Sequence, residues 1–317
     1  MEISTFVERA SYEEGFADFF EKSIKGHLQK AEEGRITLLE EYKHRKTVGY
    51  PIFIPIILLA GAMTLYLDPQ FGIFAGIGLG GLLYHWIQGP VHKYRSSVKE
   101  GIIAQIVTFF GELTFSESKK INSQILENSG ITPSYETYNG GDDISGVYDG
   151  VPMEMCEVEL KQKNSKDREF TVFRGEMFHV KLRKNFTGKT LVKTDKGMFG
   201  NALGGMFGKL ERVKLEDPKF EDIFEVYSSD QVEARYLLTT AFMERLLALR
   251  DIFKGTIQCE FSNDYLFITL ATSRDLFEAG PIEKSCLDTE DIHTFLAQMD
   301  SIFQVIEVLK LNKYTGL

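Results

Sequence analysis

Two acids, a cation and a phenol stand close together in the stretch LEDPKFEDIFEVYSSDQVEARYLLTTAFMERLLALR, residues 215–250: Asp230, Glu233, Arg235 and Tyr236, with Gln231 among them. Paired carboxylates divide acid and base roles only where their surroundings separate their pKa values. Each group also has a plainer use. Asp230 stands where a helix would start, and Glu233 three residues on gives a box-like cap. Arg235 can pair with a neighbouring acid. Tyr236 shares a helical face with Val232, so its ring is expected in the core. A polar recognition surface, or a buried network that fixes the fold, is preferred over catalysis for Asp230, Gln231, Glu233, Arg235 and Tyr236.

Other chemistry is weaker still. His179 and His293 lie far from any Cys or second His, so neither is expected to bind a metal. No Ser sits in a nucleophile-elbow pattern. Gly208-Lys209 has the look of a phosphate loop, but the first Gly that loop requires is Leu203 and the residue after the lysine is Leu210. No cofactor is expected. The same glycine-rich stretch, 197–208, carries Met198, Phe199, Met206 and Phe207. Four large apolar side chains are costly to leave in water. The stretch reads as a plain connector or as a lid that inserts them into lipid or a partner groove.

The surrounding elements come from local pattern. Asp217-Pro218 starts a short helix burying Phe220 and Phe224. Thr239 or Thr240 caps a helix burying Met243, Leu246 and Leu247. From Ile144 the period changes to extended runs: Val147 to Val158 around an Asp149-Gly150 hairpin turn, Glu169 to Leu182, and Lys189 to Thr194. Thr256–Phe261 and Tyr265–Ala271 flank Ser262-Asn263-Asp264, read as another hairpin. Asp288 caps a final helix with Ile292, Phe295, Leu296, Met299, Ile302, Phe303, Ile306 and Leu309 inward. Hairpin strands with segregated helices argue α+β with an antiparallel sheet.

Upstream the chain changes character. Val48 to Leu67 and Phe71 to Gln88 are apolar runs without Asp, Glu, Lys or Arg, separated by Asp68, Pro69 and Gln70. At about 1.5 Å per residue each run crosses, or nearly crosses, a hydrocarbon core of roughly 30 Å. So short a turn makes the spans antiparallel. Lys43, His44, Arg45 and Lys46 precede the first; His92, Lys93, Arg95 and Lys99 come after the second. Basic flanks stay in the cytoplasm, so both termini are expected there, in a multi-pass protein of the cytoplasmic (inner) membrane. The polar first 47 residues do not suggest a signal peptide. Pro51 and Pro55 favour a bend in the first span. Gly72, Gly76 and Gly80, four apart, favour close packing on the first span through Ala60 and Gly61, or on a second copy. The lack of mid-depth charge argues against a transporter.

Phe16, Phe20, Ile24, Leu28 and Ala31 form one stripe, expected to be interrupted at Gly34; Ile102 to Leu113 form another. Together they suggest a helical stalk, then a helix over Glu117–Asn128 ending at Gly130. The expected organisation is a helical region over 1–47, a two-span hairpin over 48–88, a stalk over 89–130 and a cytosolic α+β domain over 131–317, closed by its C-terminal helix.

Four pieces, SGITPSYETYNGGDDISG (129–146), FRGEMFHVKLRKNFTGKTLV (173–192), KLEDPKFEDIFEVYSSDQVEARYLLTTAFMERL (214–246) and LFEAG (276–280), resemble a family of bacterial two-span membrane proteins whose shared cytosolic domain has no assigned function. The resemblance implies the same element order and carries over no catalytic residue. It also points to a LemA-type membrane protein as a partner. A net charge of −10 argues against nucleic acid, and three well-separated cysteines fit neither a zinc site nor a disulfide framework. The reading is a membrane-anchored binding or scaffolding module, with the bilayer and a membrane protein or second copy as partners. The alternatives are a lipid or acyl-chain handler and a tethered hydrolase.

Overall fold

The computed structural model describes residues 5–66, 69–194, 210–272, 277–309 and 311. It divides into a mainly helical unit, residues 1–105 with 278–293, and a sheet unit, residues 106–277 with 294–317.

In the helical unit a short turn, α1 (Phe16–Phe19), and a π-helical turn lead into α2 (Lys25–Tyr66); α3 (Pro69–Val98) returns beside it. Phe16, Phe20, Ile24 and Leu28 are buried as their spacing requires. The helix does not break at Gly34 and continues through Pro51 and Pro55. After Leu28 the next two buried residues of α2 are charged. Buried Arg35 grips buried Glu32 at 2.7 and 2.8 Å and donates to the Ile282 carbonyl at 2.7 Å; the Cys286 amide donates to Glu32 at 3.1 Å. That guanidinium holds the Glu32 carboxyl well below the usual range, at about 2.

Among the described residues one helical run, Ser11–Tyr66, is long and apolar enough to cross a membrane. Around Ala60, where α2 and α3 face each other, the residues are small, whereas nearer the basic flanks Tyr42, Ile87 and Tyr94 pack together with Phe53 and Leu83. A Cβ on Gly72 would lie 2.5 Å from the Ala60 carbonyl oxygen, and one on Gly76 3.0 Å from the Ala60 Cβ. Gly80 faces Phe53 across 3.7 Å, while Gly78 and Gly81 face open space. The large side chains, among them Ile54, Ile57, Leu58, Phe71, Phe74, Ile77 and Leu82, point outward.

In the sheet unit seven antiparallel strands run in the order β1-β2-β3-β4-β6-β5, with β7 also on β4: β1 (Glu112–Ser116), β2 (Thr137–Tyr148), β3 (Val151–Lys163), β4 (Glu169–Thr194), β5 (Glu211–Val213), β6 (Phe224–Ser228) and β7 (Thr256–Ala271). The fold class is α+β. The Asp149-Gly150 turn has φ of 45° and 77°, as a primed hairpin turn needs. Three expectations change. Ser262-Asn263-Asp264 is no hairpin: β7 runs straight through it along β4, and Asn263 at φ 55° takes up a register shift. Glu169–Leu182 and Lys189–Thr194 are parts of one strand. The sheet also begins earlier than residue 131, because Leu113 lies in β1, opposite Gly146. The helix read over 117–128 shrinks to α5 (Ser123–Asn128), preceded in the chain by the short α4 (Ala104–Val107).

Helices α6 (Pro218–Glu221), α7 (Gln231–Leu237), α8 (Thr240–Phe253) and α9 (Thr289–Leu309) complete the chain; the first residues of α9 belong to the helical unit. Later on α9, Phe303 stacks on Tyr148 at 4.0 Å and Phe295 meets Phe277 at 5.1 Å, closing that part of the sheet core.

Candidate functional site

The acids around α7 bind backbone. Asp230 caps the helix, accepting from the amides of Val232 at 2.9 Å and Glu233 at 3.0 Å. Thr239 caps α8 and Asp217 caps α6 in the same way, with Phe220 and Phe224 buried as expected. Glu233 does not close the box. Its carboxylate reaches instead to the amides of Thr187 at 3.2 Å and Gly188 at 2.8 Å in β4. Ser229 Oγ takes the neighbouring Lys189 amide at 2.9 Å. The start of α7 is thereby stitched to one irregular stretch of β4, where a side chain on Gly188 would crowd Ser229, Asp230 and Glu233.

Arg235 bends back to the carbonyl and side-chain oxygens of Gln231, both at 3.3 Å, rather than to an acid, while the Gln231 amide donates to Glu211 at 2.9 Å. The expectation that Tyr236 is buried beside Val232 is wrong. They do share a face, but it points outward: Val232 is 79% and Tyr236 63% exposed. Ala234, Leu237 and Leu238 fill the inward side. Lys184 Nζ sits 4.0 Å above the Tyr236 ring, a cation–π contact. The five residues thus form a capped, stitched helix with an apolar-aromatic outer face, and the acids do not converge on a cleft. The proposed lid residues Met198, Phe199, Met206 and Phe207 lie outside the described residues.

A second site was not read from the sequence. Beside α5, a cleft of about 290 Å³ opens over β4 and β7. Its floor holds a neutralised charge pair. Buried Glu260 accepts from Gly130 N at 2.6 Å and Ser129 Oγ at 3.0 Å, and meets Lys189 Nζ at 2.7 Å. Gly130 is therefore no helix cap; its amide serves Glu260, and a Cβ there would lie 2.6 Å from Leu191 Cδ1. Buried Lys193 donates to the Gly130 carbonyl at 3.2 Å, and burial pushes its pKa down.

On the wall, the His179 ring stacks on Tyr265 with centroids 4.1 Å apart and planes 12° apart. Burial lowers the His179 pKa, against the pull of Glu154 and Asp264, so the imidazole is neutral at pH 7. Gln124, Asn128, Ser262 and Asn263 add polar lining, and Ile125 and Phe267 add apolar lining. The signal available was in the family-like segments 129–146 and 173–192, which hold Ser129, His179 and Lys189; Gln124, Glu260 and Tyr265 carried none. The cleft can donate and accept neutral hydrogen bonds. The buried thiols offer no nucleophile at neutral pH, because desolvation raises Cys156 to about 11 and Cys259 further.

A seven-stranded antiparallel sheet closed by a terminal helix defines an α+β class without prescribing a reaction. Residues 171–311 match the family model described as "Protein of unknown function (DUF3137)". No curated protein matches. Among solved structures, the crystal structure of the mycobacterial trehalose monomycolate transport factor A, TtfA, aligns over 62% of this chain and 88% of that chain, at 9% identity and a TM-score of 0.35. A likeness at that level carries no argument about this chain.

Proposed function

We propose that this is a membrane protein anchored by α2 and α3 as two spans, with both long ends cytoplasmic, whose sheet unit binds a partner rather than performing a reaction. The observation that carries the reading is the orientation of side chains on the two helices: around Ala60 small residues lie between them, and a continuous set of large apolar ones points outward. A surface that apolar is stable in hydrocarbon and not in water. Tyr50, Tyr84 and Trp86 are also outward, near the basic flanks, where amphipathic rings settle at a membrane boundary.

Binding is favoured over chemistry because the densest motif spends its acids on backbone amides and leaves Val232 and Tyr236 outside. An apolar-aromatic face on a capped helix suits a protein partner, with a LemA-type membrane protein or a second copy as the candidates. The acyl-chain alternative needs an apolar cavity, and the cleft beside α5 is lined mainly by polar side chains.

Two measurements test the reading. Cysteines placed at positions 5 and 311 should be shielded from an impermeant reagent outside intact cells; labelling there would overturn the topology. A photo-crosslinking residue at position 236 should capture one discrete product in native membranes, lost in Val232→Glu. Absence of any product would remove the α7 face as the binding surface.

A further inference from the structure

We infer that the cleft between α5, β4 and β7 is a binding site for an uncharged, hydroxyl-rich ring: a sugar or cyclitol, free or as a lipid headgroup. Such a site deepens the binding reading but uses different residues from the α7 face.

Six side chains line the cleft with unspent hydrogen-bonding capacity: Gln124, Asn128, His179, Ser262, Asn263 and Tyr265. None of them makes a side-chain hydrogen bond to another described residue, whereas Glu260 beneath them is fully engaged. Three of the six are amides, each offering donors and an acceptor in one plane. Adjacent ring hydroxyls present the same mixture of donor and acceptor, so an amide can serve a pair of them at once. A stacked aromatic wall supplies the complementary apolar surface, against which the C–H face of a saturated ring packs.

Charge narrows the choice. Lys189 is neutralised by Glu260 at 2.7 Å, so it does not wait as a free cation for a phosphate. The Glu260 carboxylate accepts three bonds and is buried, so it does not offer itself to a cationic ligand. His179 is neutral at pH 7. An acyl chain would strand the amides without partners, which costs affinity. The volume, about 290 Å³, lies at the small end of ligand sites and admits one ring more readily than a chain of them.

The test uses the full-length protein in phosphatidylcholine nanodiscs, without sugar-headgroup detergent, which would compete. Saturation-transfer NMR is run with free glucose, galactose and myo-inositol, and with inorganic phosphate as the charged comparison. A second arm titrates the protein against vesicles of phosphatidylcholine with and without a glucosyl diacylglycerol. Transfer to ring protons of a free probe supports a soluble ligand; binding only to glycolipid vesicles supports a headgroup. In either case Gln124→Ala with Asn128→Ala should weaken binding about tenfold, the scale of one or two lost hydrogen bonds, while melting as the wild type does. Tyr265→Leu should weaken it independently. Failure of every hydroxylated probe in both arms overturns the inference, as does binding indifferent to these substitutions, or phosphate binding at this cleft. Crosslinking at position 236 in the Gln124→Ala, Asn128→Ala variant keeps the outcomes apart: it should persist whether or not the cleft binds a ring.

Discussion

The sheet unit and the apolar stretch of the α2–α3 pair place their large side chains oppositely. In the sheet unit Phe178 is fully buried; in the α2–α3 pair Phe74 is 71% exposed, and around Ala60 glycine and alanine occupy the contact. The same side chain type is thus inside in one place and outside in the other. Water explains the first arrangement; on the proposed two-span reading hydrocarbon explains the second, because apolar side chains gain nothing by hiding from lipid. Around Ala60 the helix pair has to cohere through close backbone approach, while the sheet unit coheres through burial. A mutation should therefore be judged by the solvent its site faces.

The sharpest way to break this comparison is to make one change in both places. Phe178→Ala should cost about 3–5 kcal/mol, since it empties a buried ring site. Phe74→Ala should change stability by less than about 0.5 kcal/mol, as surface substitutions do. Thermal melts of the purified protein in detergent measure both. Similar losses would mean that the outer helix face packs on protein.

Acid titration probes the buried polar chemistry of the helical unit. Arg35 holds the Glu32 carboxyl at about 2, below its usual 4.5. A lowered carboxylate contributes stability that is fully present above about pH 4.5 and drains away as pH falls towards 2, here roughly 3 kcal/mol. Melting temperature should fall across that window in the wild type. In Glu32→Gln the window should flatten, from a lower starting stability. An unchanged acid limb in that variant would assign the fall to other carboxylates.

Glycine position sharpens the comparison further. Gly72→Leu should cost roughly 1–3 kcal/mol through overpacking against Ala60 and Thr64, whereas Gly78→Leu, facing open space, should be silent. Equal effects in detergent melts would show that backbone approach does not hold the pair. The smallest effects belong to α7. Asp230→Ala should cost ~1 kcal/mol for a lost cap. Tyr236→Ala should cost no more than about 0.5–1 kcal/mol, the worth of an exposed cation–π contact, while abolishing partner capture. A loss several times larger would return Tyr236 to a structural role.

Much of the helical unit was legible because its signals are local: uncharged length, four-residue glycine spacing and an aromatic stripe. Caps at Asp217, Asp230 and Thr239 were legible for the same reason, since a cap bonds amides two and three residues on. Tyr236 was misread because periodicity shows which residues share a face but not which face turns inward; on so short a helix Ala234 and Leu237 sufficed for the core. Ser262-Asn263-Asp264 was misread because a positive φ serves a strand irregularity as well as a turn. The cleft was invisible because Asn128, His179 and Tyr265 meet only when β7 lies along β4.

That same pairing sets a clock on biosynthesis. Gly175 in β4 waits for Ala271 in β7, so one edge of the longest strand stays open until nearly the whole sheet unit has been made. At ribosomal speeds of about 5–20 residues per second, the wait is roughly 5–20 s. During it the nascent chain displays unpaired amides and carbonyls to every neighbouring polypeptide. The crowding of chains along one messenger, rather than the stability of the finished molecule, should therefore set how much of it is recovered intact.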